Sequence, residues 1–224
     1  MTPDMALARL QALTDPARAA DAAAYHKVPR PYLGIAVPVL TDLAKGWRDG
    51  LSTPERVALA DGLWQSNIHE ARIAAAKLVT QARIADDEPV WALISGWVPG
   101  FDAWAIADHA CDAGERRLLS APERIDEVEG WTRHDNLWVR RAALVITLPW
   151  TKQNFPKPQD LAIRDRVLGW AALMADDRDW FIQKAIAWWL RDLSKHDAPR
   201  ARTFLADHGD RLKPFARAEA GKYL

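Results

Sequence analysis

The sequence predicts an all-α fold. Ala-rich stretches carry apolar residues at a 3.6-residue period, and Pro, Gly and Asp punctuate them. The alternating β-branched runs closed by Asn-Gly or Asp-Gly that mark hairpins are missing. At 224 residues, 49% of them apolar, the chain can bury a sizeable core.

Taken in order, helices are expected at Asp4–Leu13, Asp15–Lys27, Val37–Arg48 and Pro54–Gln65. The last follows a Thr53 cap with Pro54 at the first helical position. The series continues with His69–Ile84, Glu88–Trp97, Phe101–Cys111, Gly114–Leu119 and Pro122–Trp131. Before Pro122–Trp131, Ser120 stands three residues ahead of Glu123, a capping-box spacing. Asn136–Leu148, Gln159–Met174, Arg178–Lys195, Ala198–His208 and Pro214–Tyr223 complete it. The clearest loop is Thr151–Gln159, with Pro156 and Pro158; it carries Lys152 and Lys157 and is too short for a domain linker. Three segments share a faint pattern, beginning at His69, Asn136 and Trp180: apolar and basic residues run into an alanine-rich turn. Paired antiparallel helices at roughly 35–45 residues per unit are the habit of HEAT-like α-solenoids with a concave groove. A single domain over residues 1–224 is expected, with an irregular helical bundle as the alternative.

Composition narrows the function classes. Formal net charge is zero, but residues 1–130 hold 13 Lys+Arg against 19 Asp+Glu, whereas residues 131–224 hold 17 against 11. A basic surface is therefore expected on the C-terminal half alone. The single cysteine, Cys111, allows no intramolecular disulfide and reads as a small core residue. No signal-peptide pattern or 18-residue apolar run appears, so a soluble cytoplasmic protein is expected. There are twelve Trp, most of them expected to fill gaps between Ala-rich helices.

Some residues sit where a core or a solvated face would not place them. Trp104 and Asp108 are four apart on one helix, which stacks an indole and a carboxylate on one face. The neighbours of Asp108 at three residues, Ala105 and Cys111, are small and nearly apolar. In Arg178–Lys195 the core stripe is Ile182, Ala185, Ile186, Trp189 and Leu193. Trp188 lies off it, on a stripe with Phe181, Lys184, Arg191 and Lys195. An indole among three cations suits phosphates and a sugar or base, or merely flanks the core. In Asn136–Leu148 the core stripe is Val139, Ala142, Ala143 and Ile146. Arg141 sits among Leu137, Trp138, Leu144 and Val145, and a guanidinium there needs an anionic partner, either Asp108 or a phosphate. Metal-ligand spacings, a Gly-rich phosphate loop and a GxSxG elbow are all missing. An Asp108/Asp112 carboxylate pair of glycosidase type is a weaker reading, because acids four apart are common on solvated faces.

Three motifs resemble the AlkD-like DNA glycosylases, a family of HEAT-like repeat enzymes. They are Trp104-Ala105-Ile106-Ala107-Asp108, Asp135-Asn136-Leu137-Trp138-Val139-Arg140-Arg141-Ala142-Ala143, and the segment from Trp180 to Arg191 that begins WFIQKAIAWW. Weaker echoes are Tyr25 ahead of Tyr32-Leu33-Gly34-Ile35, and Arg217-Ala218-Glu219-Ala220. The resemblance implies catalytic roles for Asp108, Trp104 and Trp188, with Arg141 holding DNA and Tyr25 near the lesion. Lys184, Arg191 and Lys152 are expected as further DNA contacts. The implied partner is duplex DNA bearing cationic N3- or N7-alkylated purines, cleaved without flipping the base, by a monomer needing no metal or cofactor. The rival expectation is a non-catalytic α-solenoid that binds DNA or a protein partner. Trp104, Asp108, Arg141 and Trp188 are expected to converge on one surface.

Overall fold

A computed structural model describes residues 1–224. The chain is all-α, with thirteen α-helices and short 3-10 turns between some of them. It forms two compact units, Met1–Arg117 and Leu118–Leu224.

Unit 1 holds α1 (Pro3–Gln11), α2 (Pro16–His26), α3 (Val37–Arg48), α4 (Thr53–Gln65), α5 (His69–Val79), α6 (Glu88–Trp97) and most of α7 (Trp104–Ser120). Its centre is α5, which packs against α3 and α4. Ala71, Ala74, Ala75 and Ala76 are fully buried there, because small side chains let neighbouring helices approach closely. Asp15 caps α2 by accepting from the amides of Ala17 and Arg18 at 3.1 Å. The α4 cap falls one residue earlier than expected. Ser52 rather than Thr53 is the N-cap, and the Glu55 carboxylate accepts from the Ser52 amide at 2.8 Å and from its hydroxyl at 2.5 Å. A three-residue reach fits the Ser52–Glu55 pair and places Pro54 at the second helical position.

The expected break between Cys111 and Gly114 does not occur; α7 runs unbroken from Trp104 to Ser120. Gly114 is buried in mid-helix. Farther along α7, the fully buried Arg117 guanidinium donates to the carbonyls of Gln81 and Ala82 and to Asp87. Those bonds hold the end of α7 against the segment after α5.

Unit 2 holds α8 (Ile125–Trp131), α9 (Leu137–Val145), α10 (Pro158–Leu173), α11 (Trp180–Ser194), α12 (Ala198–His208) and α13 (Pro214–Ala220). The helix expected from Pro122 opens instead as a 3-10 turn, Pro122–Arg124, that leads into α8. Here α11 is central, packing against α9, α12, α13 and the turn Leu148–Lys152. Its predicted stripe, Ile182, Ala185, Ile186, Trp189 and Leu193, is buried throughout. Trp189 donates its indole N–H to the Thr147 hydroxyl at 3.2 Å, so a buried ring keeps its polar atom satisfied. The three pattern-sharing segments open α5, α9 and α11, in each unit among the most buried helices.

Eight of the twelve Trp are buried. Trp104, Trp138, Trp180 and Trp188 are not, which separates the two expected site indoles from the ones that fill the core. No helix is long and apolar enough to cross a membrane.

Candidate functional site

In unit 1, Trp104 opens α7 and is half-buried; Asp108, one turn on, is half-buried too. Ala105, Ala107 and Cys111 around Asp108 are buried, so the carboxylate rises from an apolar helix face. Trp104 stands against a ring cluster built from the end of α2, the loop after it and the start of α5. Tyr25 meets its edge at a centroid distance of 6.3 Å, and His26 lies 5.6 Å away. Behind them His69 is 4.5 Å from His26 and 4.9 Å from Tyr32, and His26 and Tyr32 stack parallel at 6.1 Å. The structure thus brings Tyr25 and Trp104 together, although 79 positions separate them in the sequence. Tyr25 leaves most of its surface exposed, at 69%.

Two contacts hold this cluster in place, and the sequence reading missed both. Arg30, with its side chain buried, donates to Asp102, two residues ahead of Trp104. The pair ties the loop after α2 to the start of α7. The Glu70 carboxylate, buried in α5, accepts from the amides of Leu33 at 2.9 Å and Gly34 at 2.7 Å. Gly34 has φ +75°, and a Cβ there would stand 2.4 Å from the Asp15 carbonyl and 2.6 Å from the Ala19 amide. Only glycine allows both the left-handed backbone and that close approach. The Tyr32-Leu33-Gly34-Ile35 echo is therefore a backbone requirement. The available signal was a lone acidic residue at the start of an alanine-rich helix. With both oxygens bonded to amides, Glu70 has no role as a metal ligand beside the two histidines. No group of three His, Cys, Asp or Glu in the chain is arranged to hold a metal.

Burial pushes the His69 imidazole far below its ordinary 6.5, to about 3, with smaller contributions from His26, Arg30 and His109. His26 is lowered as well, by burial first. Both rings are neutral at pH 7, and their Nδ1 atoms are buried without partners. The sign of the linkage follows. Between pH 6.5 and about 3 the unfolded chain takes up a proton on His69 that the folded chain refuses. Stability therefore falls as pH drops through that window. Thermal melts from pH 7.5 to 4.5 should show this fall. His69→Phe, which keeps a ring between His26 and Tyr32, should flatten it by several degrees; an unchanged slope would assign the acid sensitivity elsewhere.

In unit 2, Arg141 is buried at 4% exposure and donates from Nη1 to the Phe181 carbonyl at 3.2 Å, tying α9 to the first turn of α11. The same junction is reinforced by Trp138 against Phe181, with centroids 4.6 Å apart. Gln183 is fully buried and explains another motif position. Its amide nitrogen donates to the carbonyls of Ala175 and Asp177, and its oxygen accepts from the Lys213 amide.

Trp188 is half-buried on α11, and its indole N–H donates to Asp192 at 3.1 Å. Asp192 stands four residues on, the same spacing as Trp104 and Asp108, a spacing the sequence also shows at Trp131 and Asp135. Asp192 fixes the Trp188 ring orientation. It also accepts from Arg191 at 3.2 Å. Lys184 and Arg191 both reach Glu219, at 2.5 and 2.6 Å. The stripe of cations beside Trp188 is thus largely compensated inside the unit, and Glu219 accounts for the Arg217–Ala220 echo as a structural anchor. Most other arginines of unit 2 are likewise held by carboxylates, Arg164 by Asp197, Arg166 by Glu129, Arg200 by Asp165 and Arg211 by Asp176. Lys152 ends the turn Leu148–Lys152 and is exposed.

The all-helical fold is shared with solved structures. One is described as a predicted DNA alkylation repair enzyme from Enterococcus faecalis, with a TM-score of 0.77 and 22% identity over 94% of this chain and 96% of that one. Another is smu.31 from Streptococcus mutans UA159, at TM-score 0.63 and 17% identity over 84% and 92%. No curated protein matches the sequence. The chain belongs to the DNA alkylation repair enzyme family, which it matches over residues 6–224.

Proposed function

We propose that this protein is a monofunctional DNA glycosylase, acting in the cytoplasm as a monomer. It hydrolyses the N-glycosidic bond of cationic N3- or N7-alkylated purines in duplex DNA without drawing the base into a pocket. The observation that carries the reading is the half-buried Asp108 one turn from Trp104, on a helix whose indole is braced by Tyr25 and His26.

The chemistry asks little of the protein beyond electrostatics. An alkylated purine cation is already a good leaving group; when the C1′–N bond breaks, its electron pair neutralises the ring, so no general acid is required. What needs help is the sugar, which becomes oxocarbenium-like. Asp108 stabilises that charge and orients the water whose oxygen bonds C1′; the proton released goes to the carboxylate or to solvent. The face of Trp104 carries the negative side of its quadrupole toward a cationic centre and excludes water, and Trp188 is the second indole proposed for catalysis. Neutral His26 and His69 suit such a site, because protonated rings behind Trp104 would oppose a cationic substrate. Arg141, Lys152, Lys184 and Arg191 contact phosphates, and Tyr25 lies beside the lesion. Because Lys184 and Arg191 already serve Glu219, the phosphate attraction is modest, and a steep loss of affinity with salt is not expected of them.

The test is base release by the purified protein from DNA treated with a methylating agent. Release of 7-methylguanine or 3-methyladenine, with little release of the neutral bases uracil and 1,N6-ethenoadenine, is the expected result. Efficient uracil release would contradict a mechanism without a general acid. Binding of alkylated DNA with no base released at all would instead favour a non-catalytic DNA-binding helical protein.

A further inference from the structure

The turn and loop between Trp150 and α10 present a side chain that the catalytic reading does not use. Phe155 is 97% exposed, the most exposed large apolar side chain in the molecule. A phenylalanine left in water forgoes the free energy of burial. It does not sit on a loose tail. The buried Arg164 donates from Nε to the Trp150 carbonyl and from Nη2 to the Gln153 carbonyl, both at 2.8 Å, and pairs with Asp197. Asn154 is bonded to the His196 ring at 2.7 Å. The Lys157 amide donates to Asp160 at 2.8 Å, where α10 begins. Pro156 confines Phe155 to extended backbone. The loop is thus pinned on both sides of a ring it holds out into solvent.

Charge says what the ring fits. From Leu148 to Gln159 there are two lysines and no Asp or Glu. Where most arginines of unit 2 are compensated, Lys152 forms no ion pair, and it and Lys157 flank the ring, both exposed. Five residues of extended chain span at most about 17 Å, so both ammonium groups can reach phosphates on either side of a single base step. An apolar wedge between phosphate-binding cations is how proteins open a base step of duplex DNA from outside. An acidic protein groove would satisfy the lysines equally, but this chain belongs to a DNA repair family, which favours DNA.

We propose that the loop Lys152–Lys157 is a DNA-destacking wedge. Phe155 packs against a base step already weakened by damage, and Lys152 and Lys157 neutralise the flanking phosphates. This inference rests on the reading of DNA as substrate but not on the glycosylase chemistry. It also offers a way to disturb the helix at a lesion without a base-receiving pocket.

The test uses the full chain and two duplexes, one intact and one containing a tetrahydrofuran abasic analogue beside 2-aminopurine, whose fluorescence rises on unstacking. Wild type should raise the fluorescence of the abasic duplex. Phe155→Ala should abolish that rise and weaken binding to this duplex about tenfold, with little change on intact DNA and an unchanged melting temperature. Lys152→Ala should weaken binding to both duplexes alike and reduce the salt slope by about one. A wild-type fluorescence response from Phe155→Ala, or an equal loss on both duplexes, would overturn the wedge while leaving the DNA reading intact. Loss of self-association in place of any DNA effect would make the loop a protein contact and overturn it too. If wild type binds neither duplex, the substrate reading and the wedge fall together.

Discussion

Asp108→Asn is expected to lower single-turnover release of 7-methylguanine from methylated duplex DNA by about a hundredfold or more, with DNA affinity nearly unchanged. The substitution keeps the shape of the side chain and removes only its charge. If that charge faces an electron-poor sugar, its loss raises the barrier by the amount that one well-placed electrostatic group supplies, roughly 3 kcal/mol. On the proposed reading, binding is governed by phosphate contacts elsewhere and should not follow. Asp108 is half-buried, not part of the core, so the variant is expected to fold. The measurement pairs chromatography of released base with anisotropy on an uncleavable duplex. An Asn variant that releases base at the wild-type rate removes Asp108 from the mechanism, and one that loses binding in proportion makes it a contact residue.

Glu70→Ala is expected to be among the most destabilising single changes outside the apolar core. Its two oxygens satisfy two buried amides of the chain leading into α3, at 2.9 and 2.7 Å. Removing the carboxylate leaves both donors without water or partner, a cost of about 3–5 kcal/mol, and a melting temperature lower by about 10 °C. Glu70→Gln retains one acceptor and sets an N–H against the other amide, so it should fall between Ala and wild type. Thermal and urea denaturation give both values. An alanine variant as stable as wild type would mean that the loop finds other acceptors. Because the same loop carries Tyr32 and leads from Tyr25 and His26, residual folded Glu70→Ala protein should also show a disturbed Trp104 environment.

Periodicity was a reliable guide where burial is set by one helix face. The α11 stripe could be read from spacing alone, since apolar residues three and four apart must share a face. Off that stripe, Trp188 proved half-buried, as its interleaving with Lys184, Arg191 and Lys195 suggested. Helix ends were less legible. The cap moved from Thr53 to Ser52 because a hydroxyl and a carboxylate three apart close a ring that Thr53 cannot form with Glu55. The interruption expected between Cys111 and Gly114 failed because a single glycine costs a helix only about 1 kcal/mol, less than Arg117's buried bonds return.

Of the candidate site, the sequence by itself determined the residue types and their helical phase: an indole and a carboxylate on one face of α7, an indole off the core of α11, an arginine on an apolar patch of α9. Those follow from 3.6-residue geometry, which is local. It did not determine that Tyr25 would stand beside Trp104, that Arg30 would clamp Asp102, or that Glu219 would take up Lys184 and Arg191. These contacts join positions 28 to 79 residues apart, and only the packing of helices decides which charges meet. A cation's availability to DNA is therefore a tertiary property, because a carboxylate brought in from a distant helix can neutralise it while the sequence still reads as basic.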